Sequence, residues 1–254
     1  MNISGSGSLP GGVYNESISI SGSGRIQGDI TCQDFSVSGS GHICGSLTAN
    51  GCFRTSGSSH IEGDVCAEEF HIAGSGHING KVQVKGEATI SGSTKCETLR
   101  ADTIRITGGC NIEGDLTAEV ARISGSIQSD GLLNAEDIEI RFHAKSRFGS
   151  IGGSKITILP YHRHKRRLSK LFSKPNSSER KHFTVLESIE GDELYLEYVN
   201  AKEVSGRIVT IGPGCNIEEL TYSESLDLSP EAHVTHIGGP DIMEVEEKYF
   251  MPMH

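Results

Sequence analysis

The sequence predicts an all-β protein, a parallel β-helix (β-solenoid) with about 17 residues per coil. Sliding the sequence onto itself so that Ile20 falls on Val37 also places the Ser-Gly-Ser-Gly run at 21–24 on the identical run at 38–41. Such self-similarity at a short fixed period is typical of solenoids. Within one period the apolar residues lie four to six positions apart, with Gly- and Asp-containing corners between them. This spacing indicates three short strands and three turns per coil rather than helices.

Two columns of apolar residues can be followed from coil to coil. The step from one member of a column to the next varies by a single residue around the period, because one corner residue can be gained or lost at the surface without disturbing a strand. We expect the members of each column to stack on one another inside the solenoid. The first column is Ile20, Val37, Thr55, Ile72, Ile90, Ile106, Ile123 and Ile140. The second column is Ile26, Ile43, Ile61, Ile78, Cys96 and Ile112. The repeat is irregular at 124–133, where Ile127 follows closely on Ile123.

The period divides the chain into four parts. These are a first solenoid part at 1–158, a basic loop or linker at 159–182, a second solenoid part at 183–240 and a C-terminal tail at 241–254. In the second solenoid part, the same period separates Leu194, Ile211 and Leu228, and it also separates Ile217 from Val234. We therefore expect the coils to resume after the loop.

Composition excludes several classes of protein. A net charge of −10 and a pI near 5.5 argue against a nucleic-acid-binding protein. Seven cysteines with no C-x-x-C pair, and no signal peptide at the N-terminus, favour a reducing cytoplasm. Apolar runs are too short to span a membrane, so attachment is expected to be peripheral at most.

Candidate catalytic residues are missing from the pattern. We find no nucleophile elbow, phosphate loop or zinc-ligand spacing, and predict no enzyme activity, cofactor or metal site. The nearest approach to a site is a column of residues that precede the second inward position: Arg25, His42, His60, His77, Lys95 and Asn111. We interpret it as an outward polar row; adventitious metal binding or a pH switch is the alternative. We interpret Cys96, Cys110 and Cys215 as small, inward-facing hydrophobic core residues.

The basic loop is the second segment that invites a functional interpretation. Eight of the chain's 23 Lys and Arg residues lie within it, in an otherwise acidic protein. Two interpretations stay open: contact with an anionic membrane surface or an envelope protein, and a solvated loop that contacts the acidic walls of its own or neighbouring subunits. The contact is assigned to Arg163, Lys165, Arg166, Arg167, Lys170, Leu171 and Phe172, with a helical turn expected over 166–172.

The sequence resembles the bactofilin family. The resemblance rests on the tandem coils of nearly constant length with inward Ile, Val and Leu, and on corners such as Gly24-Arg25-Ile26-Gln27-Gly28-Asp29 and Gly109-Cys110-Asn111-Ile112-Glu113-Gly114-Asp115. It extends over most of residues 3–237. It implies a right-handed β-helix in a non-enzymatic bacterial cytoskeletal protein whose nucleotide-independent filaments, formed through head-to-head contacts, organise envelope, cell-shape or motility machinery.

Two features depart from the family pattern. The coils begin at residue 3, and a basic loop splits them. The family's membrane-targeting N-terminal segment is therefore not carried over.

A hexapeptide-type acyltransferase is the alternative function. Such an enzyme is also a β-solenoid with a loop, and its loop carries a catalytic histidine; here the candidates would be His162, His164 and His182. Its coil keeps a strict period of about 18 residues, built from three hexapeptides, whereas the steps in this chain favour a shorter one. A surface adhesin or a polysaccharide lyase would need secretion and a charged cleft, and the sequence indicates neither.

The ends of the solenoid are the expected sites of assembly. Ile3, Leu9 and Val13 lie one period before Ile20, Ile26 and Ile30, so the first coil starts at once. A β-helix leaves an unpaired strand at each end, and no cap is visible before Ile3. We assign the polymerisation contact to Ile3, Leu9, Val13 and, at the other end, Val234.

Overall fold

A computed structural model of the chain describes residues 1–142, 146–161 and 182–240. These residues form one continuous parallel sheet of 28 strands wound into about 13 turns, which confirms the predicted β-solenoid. No helix is present in the described ranges. The predicted helical turn at 166–172 and the C-terminal tail at 241–254 lie outside them.

The strands are β1 (Asn2–Ile3), β2 (Ser6–Val13), β3 (Ile18–Ile20), β4 (Ser23–Cys32), β5 (Phe35–Val37), β6 (Ser40–Ile43), β7 (Leu47–Thr55), β8 (Ser58–Ile61), β9 (Val65–Ile72), β10 (Ser75–Ile78), β11 (Val82–Val84), β12 (Glu87–Ile90), β13 (Ser93–Cys96), β14 (Leu99–Arg100), β15 (Thr103–Ile106), β16 (Gly109–Ile112), β17 (Leu116–Thr117), β18 (Val120–Ile123), β19 (Ser126–Ser129), β20 (Leu132–Asn134), β21 (Asp137–Phe142), β22 (Ser146–Phe148), β23 (Ser150–Pro160), β24 (Phe183–Val185), β25 (Ser188–Leu196), β26 (Val199–Ile211), β27 (Asn216–Leu228) and β28 (His233–Gly238).

Each coil contributes to three walls. The first wall contains Ile20, the second Ile26 and the third Ile30, and each of these residues is stacked on its counterpart in the next coil. The inward residues of all three walls form one hydrophobic core along the solenoid axis. Phe35, Phe53 and Phe70 stack in the first wall with ring centroids 6.1 and 5.1 Å apart. A narrow core built in this way is why an apolar content of 35% is sufficient.

The first-wall column is confirmed residue by residue. Ile20 is paired with Val37, Val37 with Thr55, and the pairing continues to Ile140. It then passes through Ile158, Leu196, Ile211 and Leu228. Thr55 is fully buried in this column, and its hydroxyl donates a hydrogen bond to Ser59 Oγ at 3.3 Å. The polar member therefore has a partner inside the core.

The irregular stretch at 124–133 exchanges a large and a small side chain. In the second wall Ile127 is paired with Cys110 and Ser129 with Ile112, so the isoleucine occupies the position that small residues hold in earlier coils. Ser129 is 2% exposed, and its hydroxyl donates to the Gly114 carbonyl at 2.8 Å. The two inward positions keep roughly their summed volume, which a core tolerates.

The predicted inward position of Val13 is wrong. A bulge between Pro10 and Gly12 shifts the register, so Gly12 rather than Val13 is paired with Ile30. Val13 is paired with Thr31 and is 77% exposed. The neighbouring strand has one residue more between the partners of Pro10 and Gly12, and this one-residue shift places Val13 on the outer face, since side chains alternate along a strand.

The predicted stacking of Leu194 on Ile211 is also wrong, whereas that of Ile211 on Leu228 and of Ile217 on Val234 is confirmed. Leu194 is paired with Val209, and Leu196 is paired with Ile211. The step in this coil is thus shorter than the common period by two positions. Leu194 and Leu196 are both buried and lie on the same face of one strand, so either fits an inward pattern.

Glycines at the corner between the first and second walls are required by contact. A Cβ atom on any of them would lie 1.8–2.3 Å from the carbonyl oxygen of the corresponding glycine one coil earlier. The column consists of Gly22, Gly39, Gly57, Gly74, Gly92, Gly108 and Gly125. None of them has a left-handed φ, so close approach of the backbones, and not backbone conformation, explains the Ser-Gly runs.

Aspartates at the next corner link successive coils. Asp29 Oδ1 accepts a hydrogen bond from the Ser46 backbone N–H at 2.7 Å. Asp64 Oδ1 accepts from Lys81 N–H at 2.8 Å, and Asp115 Oδ1 accepts from the N–H of Leu132 at 2.9 Å. The Gly-Asp pairs of the sequence therefore satisfy backbone donors at corners where the sheet ladder is interrupted.

Candidate self-assembly surfaces

The N-terminal coil presents an unpaired strand edge. β1 pairs with β3 and β2 with β4, and neither has a second strand neighbour among the described residues. A parallel strand directs its backbone N–H and C=O groups alternately to both sides. One row of donors and acceptors on this coil is therefore open to a further strand.

The side chains of this coil are apolar inside and nearly neutral outside. Leu9 is 8% exposed and Ile3 is half-buried against the core, whereas Val13 is exposed at the rim. The Met1 ammonium lies 3.1 Å from Glu16 Oε2 and donates to the Ser17 carbonyl at 2.6 Å. Because the terminal charge is paired, little electrostatic repulsion opposes the approach of a second such end.

The C-terminal coil has the same open edge but a different charge. β28 pairs only with β27 in the described part of the chain. Val234 is half-buried against the core, while Leu228 and Ile237 are 38% and 44% exposed. Residues 216–240 contain no Lys or Arg and five carboxylates, those of Glu218, Glu219, Glu224, Asp227 and Glu231. The sequence analysis predicts a contact only at Val234. Leu228 is the last described member of the first-wall column, so no described residue of a following coil covers it, and its exposure follows from that position.

The polar column on the second wall exists as predicted. Parallel pairing stacks Arg25, His42, His60, His77, Lys95 and Asn111 in one outward row. The ring centroids of His42 and His60 are 5.0 Å apart, and so are those of His60 and His77. Burial, and then the neighbouring imidazoles, lower the pKa of His60 below its usual value. His42 Nε2 lies 2.8 Å from Glu62 Oε1.

Comparison with known proteins finds a family match in the first coils. Residues 1–83 match the family model of the bactofilins, which is described as polymer-forming cytoskeletal. These first coils are therefore similar to a bactofilin domain. The description of that family favours a cytoskeletal scaffold role.

Two curated relatives are similar to part of the chain. Uncharacterized protein YhbF of Bacillus subtilis (strain 168) is 35% identical over 105 residues, which are 41% of this chain and 40% of the relative. Uncharacterized protein YhbE of the same organism is 35% identical over 104 residues, 41% of each chain. The chain thus spans about two fifths of the length of the curated relatives it matches. No solved structure matches it.

Three cysteines of the coils after residue 83 are packing residues. Cys96, Cys110 and Cys215 are 1%, 5% and 2% exposed, as predicted. Burial raises the pKa of Cys96 to about 12 and that of Cys215 to about 11, and it raises the pKa of Cys110 well above its usual value. These thiols are therefore neutral at physiological pH and poor nucleophiles.

Other predicted site residues are only partly described. His182 lies beside Tyr198, with ring centroids 6.0 Å apart. The remaining acyltransferase candidates, His162 and His164, lie outside the described residues, and so do the membrane-contact candidates Arg163, Lys165, Arg166, Arg167, Lys170, Leu171 and Phe172. On either side of that segment β22 pairs with β24 and β23 with β25, so the solenoid walls continue across it. Within the described residues, no helix has the length and apolarity that a membrane span requires.

Proposed function

We propose that the protein is a non-enzymatic bacterial cytoskeletal scaffold that assembles, without nucleotide, into filaments through the ends of its β-helix. The observation that carries this proposal is that both terminal coils of the described chain pair on one side only. The similarity of residues 1–83 to a polymer-forming family supports it. A filament of this kind would organise envelope, cell-shape or motility machinery.

The proposed contact joins two N-terminal coils. Ile3 and Leu9 provide the apolar interior and Val13 the rim, while the backbone groups of β1 and β2 bond across the junction. Contacts between two C-terminal coils around Val234 would bring together two sets of five carboxylates. Like charges at close range oppose that pairing at low salt, so we infer that the N-terminal contact forms first.

The test uses a charge inside the N-terminal end. Leu9→Lys buries an unpaired ammonium in the proposed junction, and Ile3→Pro removes a ladder donor, so both should give short particles. Asn2→Lys is the matched control, because Asn2 is exposed in the same coil. Sedimentation velocity and negative-stain microscopy in nucleotide-free buffer measure particle length. A monodisperse wild-type monomer would contradict assembly; a Leu9→Lys variant as long as wild type would move the contact to the coil of Val234.

A second proposal concerns attachment to an anionic surface through the basic loop at 159–182. It is supported by the sequence, in which eight basic residues flank Leu171 and Phe172. Each charge near an anionic bilayer contributes about 1 kcal/mol. Changing Arg163, Lys165, Arg166 and Arg167 to Glu should leave the melting temperature unchanged and reduce co-sedimentation with anionic liposomes. If the wild-type protein does not co-sediment with such liposomes at low salt, attachment through this loop is excluded.

A further inference from the structure

The second wall of the first coils brings four potential metal ligands together. His42 and Cys44 lie on one coil, and His60 and Glu62 lie on the next. His42 is paired with His60 in the parallel register, and Cys44 and Glu62 directly follow the ends of these two strands, with ligand atoms within 4.8 Å of each other. We propose that this array of His42, Cys44, His60 and Glu62 binds a divalent transition-metal ion such as Zn2+.

The geometry is close to that of a chelate. Ligand atoms of His42, Cys44 and Glu62 all lie within 4.8 Å of one another, and His42 Nε2 is 2.8 Å from Glu62 Oε1. The His60 ring centroid lies 5.0 Å from that of His42. Zn2+ is bound at about 2.0–2.3 Å by nitrogen, sulfur and oxygen ligands, which places neighbouring ligand atoms about 3–4 Å apart. Three of the four ligands therefore already lie near chelating distance, and His60 is adjacent to them.

The array is held on a rigid support and remains accessible. Ile43 and Ile61, which follow the two histidines, are fully buried and stacked on each other. The side chains of His42 and Glu62 are 36% and 45% exposed. The two histidines lie on strands, which keep ligands better positioned than loops do. An ion could therefore reach the array from solvent without a change in the fold.

Arg25 is the neighbour that opposes a metal ion. Its Nε donates a hydrogen bond to Cys44 Sγ at 3.4 Å, and its Nη2 donates to His42 Nδ1 at 3.5 Å. The guanidinium would have to turn away before a dication enters, because the two positive charges repel. Arg25 is exposed and has room to do so. This competition predicts that removing the charge at Arg25 strengthens metal binding.

A second cluster on the first wall provides the comparison. Ligand atoms of Cys52, Glu69 and His71 also lie within 4.8 Å of one another. In this cluster His71 is paired with Arg54 and Thr89 on the neighbouring strands, so no second imidazole is stacked beside it. We therefore assign the ion to the array on the second wall and use the first-wall cluster as the control.

The test is a Zn2+ titration of the metal-free full chain at pH 7.5, with a chromophoric chelator as competitor. The wild type should bind one equivalent with a dissociation constant below about 10 µM. His42→Ala with Cys44→Ser should weaken binding at least tenfold, because two ligands are lost, and Arg25→Gln should tighten it. His71→Ala with Cys52→Ser should bind as the wild type does. All of these positions are at least partly exposed, and circular dichroism checks that the variants fold.

Two further readouts separate this site from non-specific binding. Zn2+ should raise the melting temperature of the wild type and of the His71/Cys52 variant but not that of the His42/Cys44 variant, since the ion ties two coils together. Binding should weaken at least tenfold at pH 5.5, because protons compete for the imidazoles and the thiolate. The assignment would be overturned by an equal loss of Zn2+ affinity in both double variants or by unchanged affinity in the His42/Cys44 variant. A wild-type dissociation constant above about 10 µM would also overturn it. None of these results depends on whether the chain forms filaments.

Discussion

The coils of residues 75–148 and those of residues 188–228 stack the same kind of inward columns but form their corners differently. From β10 to β22 the strands are two to six residues long and are separated by tight corners. β25 has nine residues, and β26 and β27 have 13 each. Each of β26 and β27 therefore passes through all three walls without a break. The fold therefore requires the inward columns and accepts more than one type of corner.

The position of close backbone contact also moves between the two regions. In the earlier coils it lies between the first and second walls, where the glycine column stacks. From the coil of Gly153 onward it lies between the third and first walls, where a Cβ on Gly153 would be 2.1 Å from the Ala135 carbonyl oxygen and one on Gly191 would be 2.3 Å from the Gly153 carbonyl oxygen. The former corner then contains Tyr198 and Gly214, with φ of 53° and 71°. Close approach is thus a property of the coil and not of one particular corner.

The largest expected effect is on a shared feature, the inward column. Ile43→Asp places a carboxylate at a fully buried position between Ile26 and Ile61, which should destabilise the fold by several kcal/mol. Ser40→Asp, on the exposed face of the same strand, is the control. Urea unfolding measures the difference. An unchanged midpoint for Ile43→Asp would show that the register of the second wall is wrong.

The next effect tests the two kinds of corner. Gly108→Ala puts a methyl group 1.9 Å from the Gly92 carbonyl oxygen and should cost about 1–3 kcal/mol or more, whereas Gly109→Ala meets no atom within 4 Å and should change stability by less than about 0.5 kcal/mol. Gly191→Ala should be as costly as Gly108→Ala, although it lies at the other corner. Thermal melts of the three variants test this; equal melting temperatures for Gly108→Ala and Gly109→Ala would contradict the contact explanation.

A smaller effect concerns two buried hydroxyls of the earlier coils. Thr94 is 3% exposed, and its Oγ1 has no hydrogen-bond partner among the described residues, whereas Thr55 bonds to Ser59. Thr94→Val should therefore stabilise the protein by about 1 kcal/mol, because an unsatisfied polar group is replaced by an apolar one of similar shape. Thr55→Val should give no such gain. A lower melting temperature for Thr94→Val than for Thr55→Val would refute this difference.

The smallest effect is a pH dependence at a corner within residues 1–83, the part that matches the bactofilin model. The backbone N–H of Cys52, and then the hydroxyl of Ser17, hold the pKa of Asp34 below its usual value. The folded state therefore gains stability from ionised Asp34 above the unfolded pKa of about 3.9, and it loses this stability as pH falls below that value. Asp34→Asn should flatten the decline of the melting temperature between pH 5 and pH 3. An identical decline in wild type and variant would show that Asp34 does not contribute.

Much of the fold follows from the order of residues alone. An inward position must be filled by an apolar or small residue in every coil, so the period and most of the two columns can be read from Ile20 to Ile140 and from Ile26 to Ile112. Even Thr55 and Cys96 were placed correctly, because their neighbours in the column fixed the register. Periodicity identifies a column where most coils share the period, as in these two walls.

Tertiary structure alone decided the features that depend on contacts between coils. The bulge that turns Val13 outward and the shortened step that pairs Leu196 with Ile211 arise where a corner has fewer residues than the same corner of the neighbouring coil, and no local pattern marks them. The array of His42, Cys44, His60 and Glu62 likewise exists only because residues one coil apart in the sequence are stacked on neighbouring strands. Sequence determines which residue types repeat, since each coil must bury the same face; pairing between coils determines which side chains meet, since that depends on the exact length of every corner.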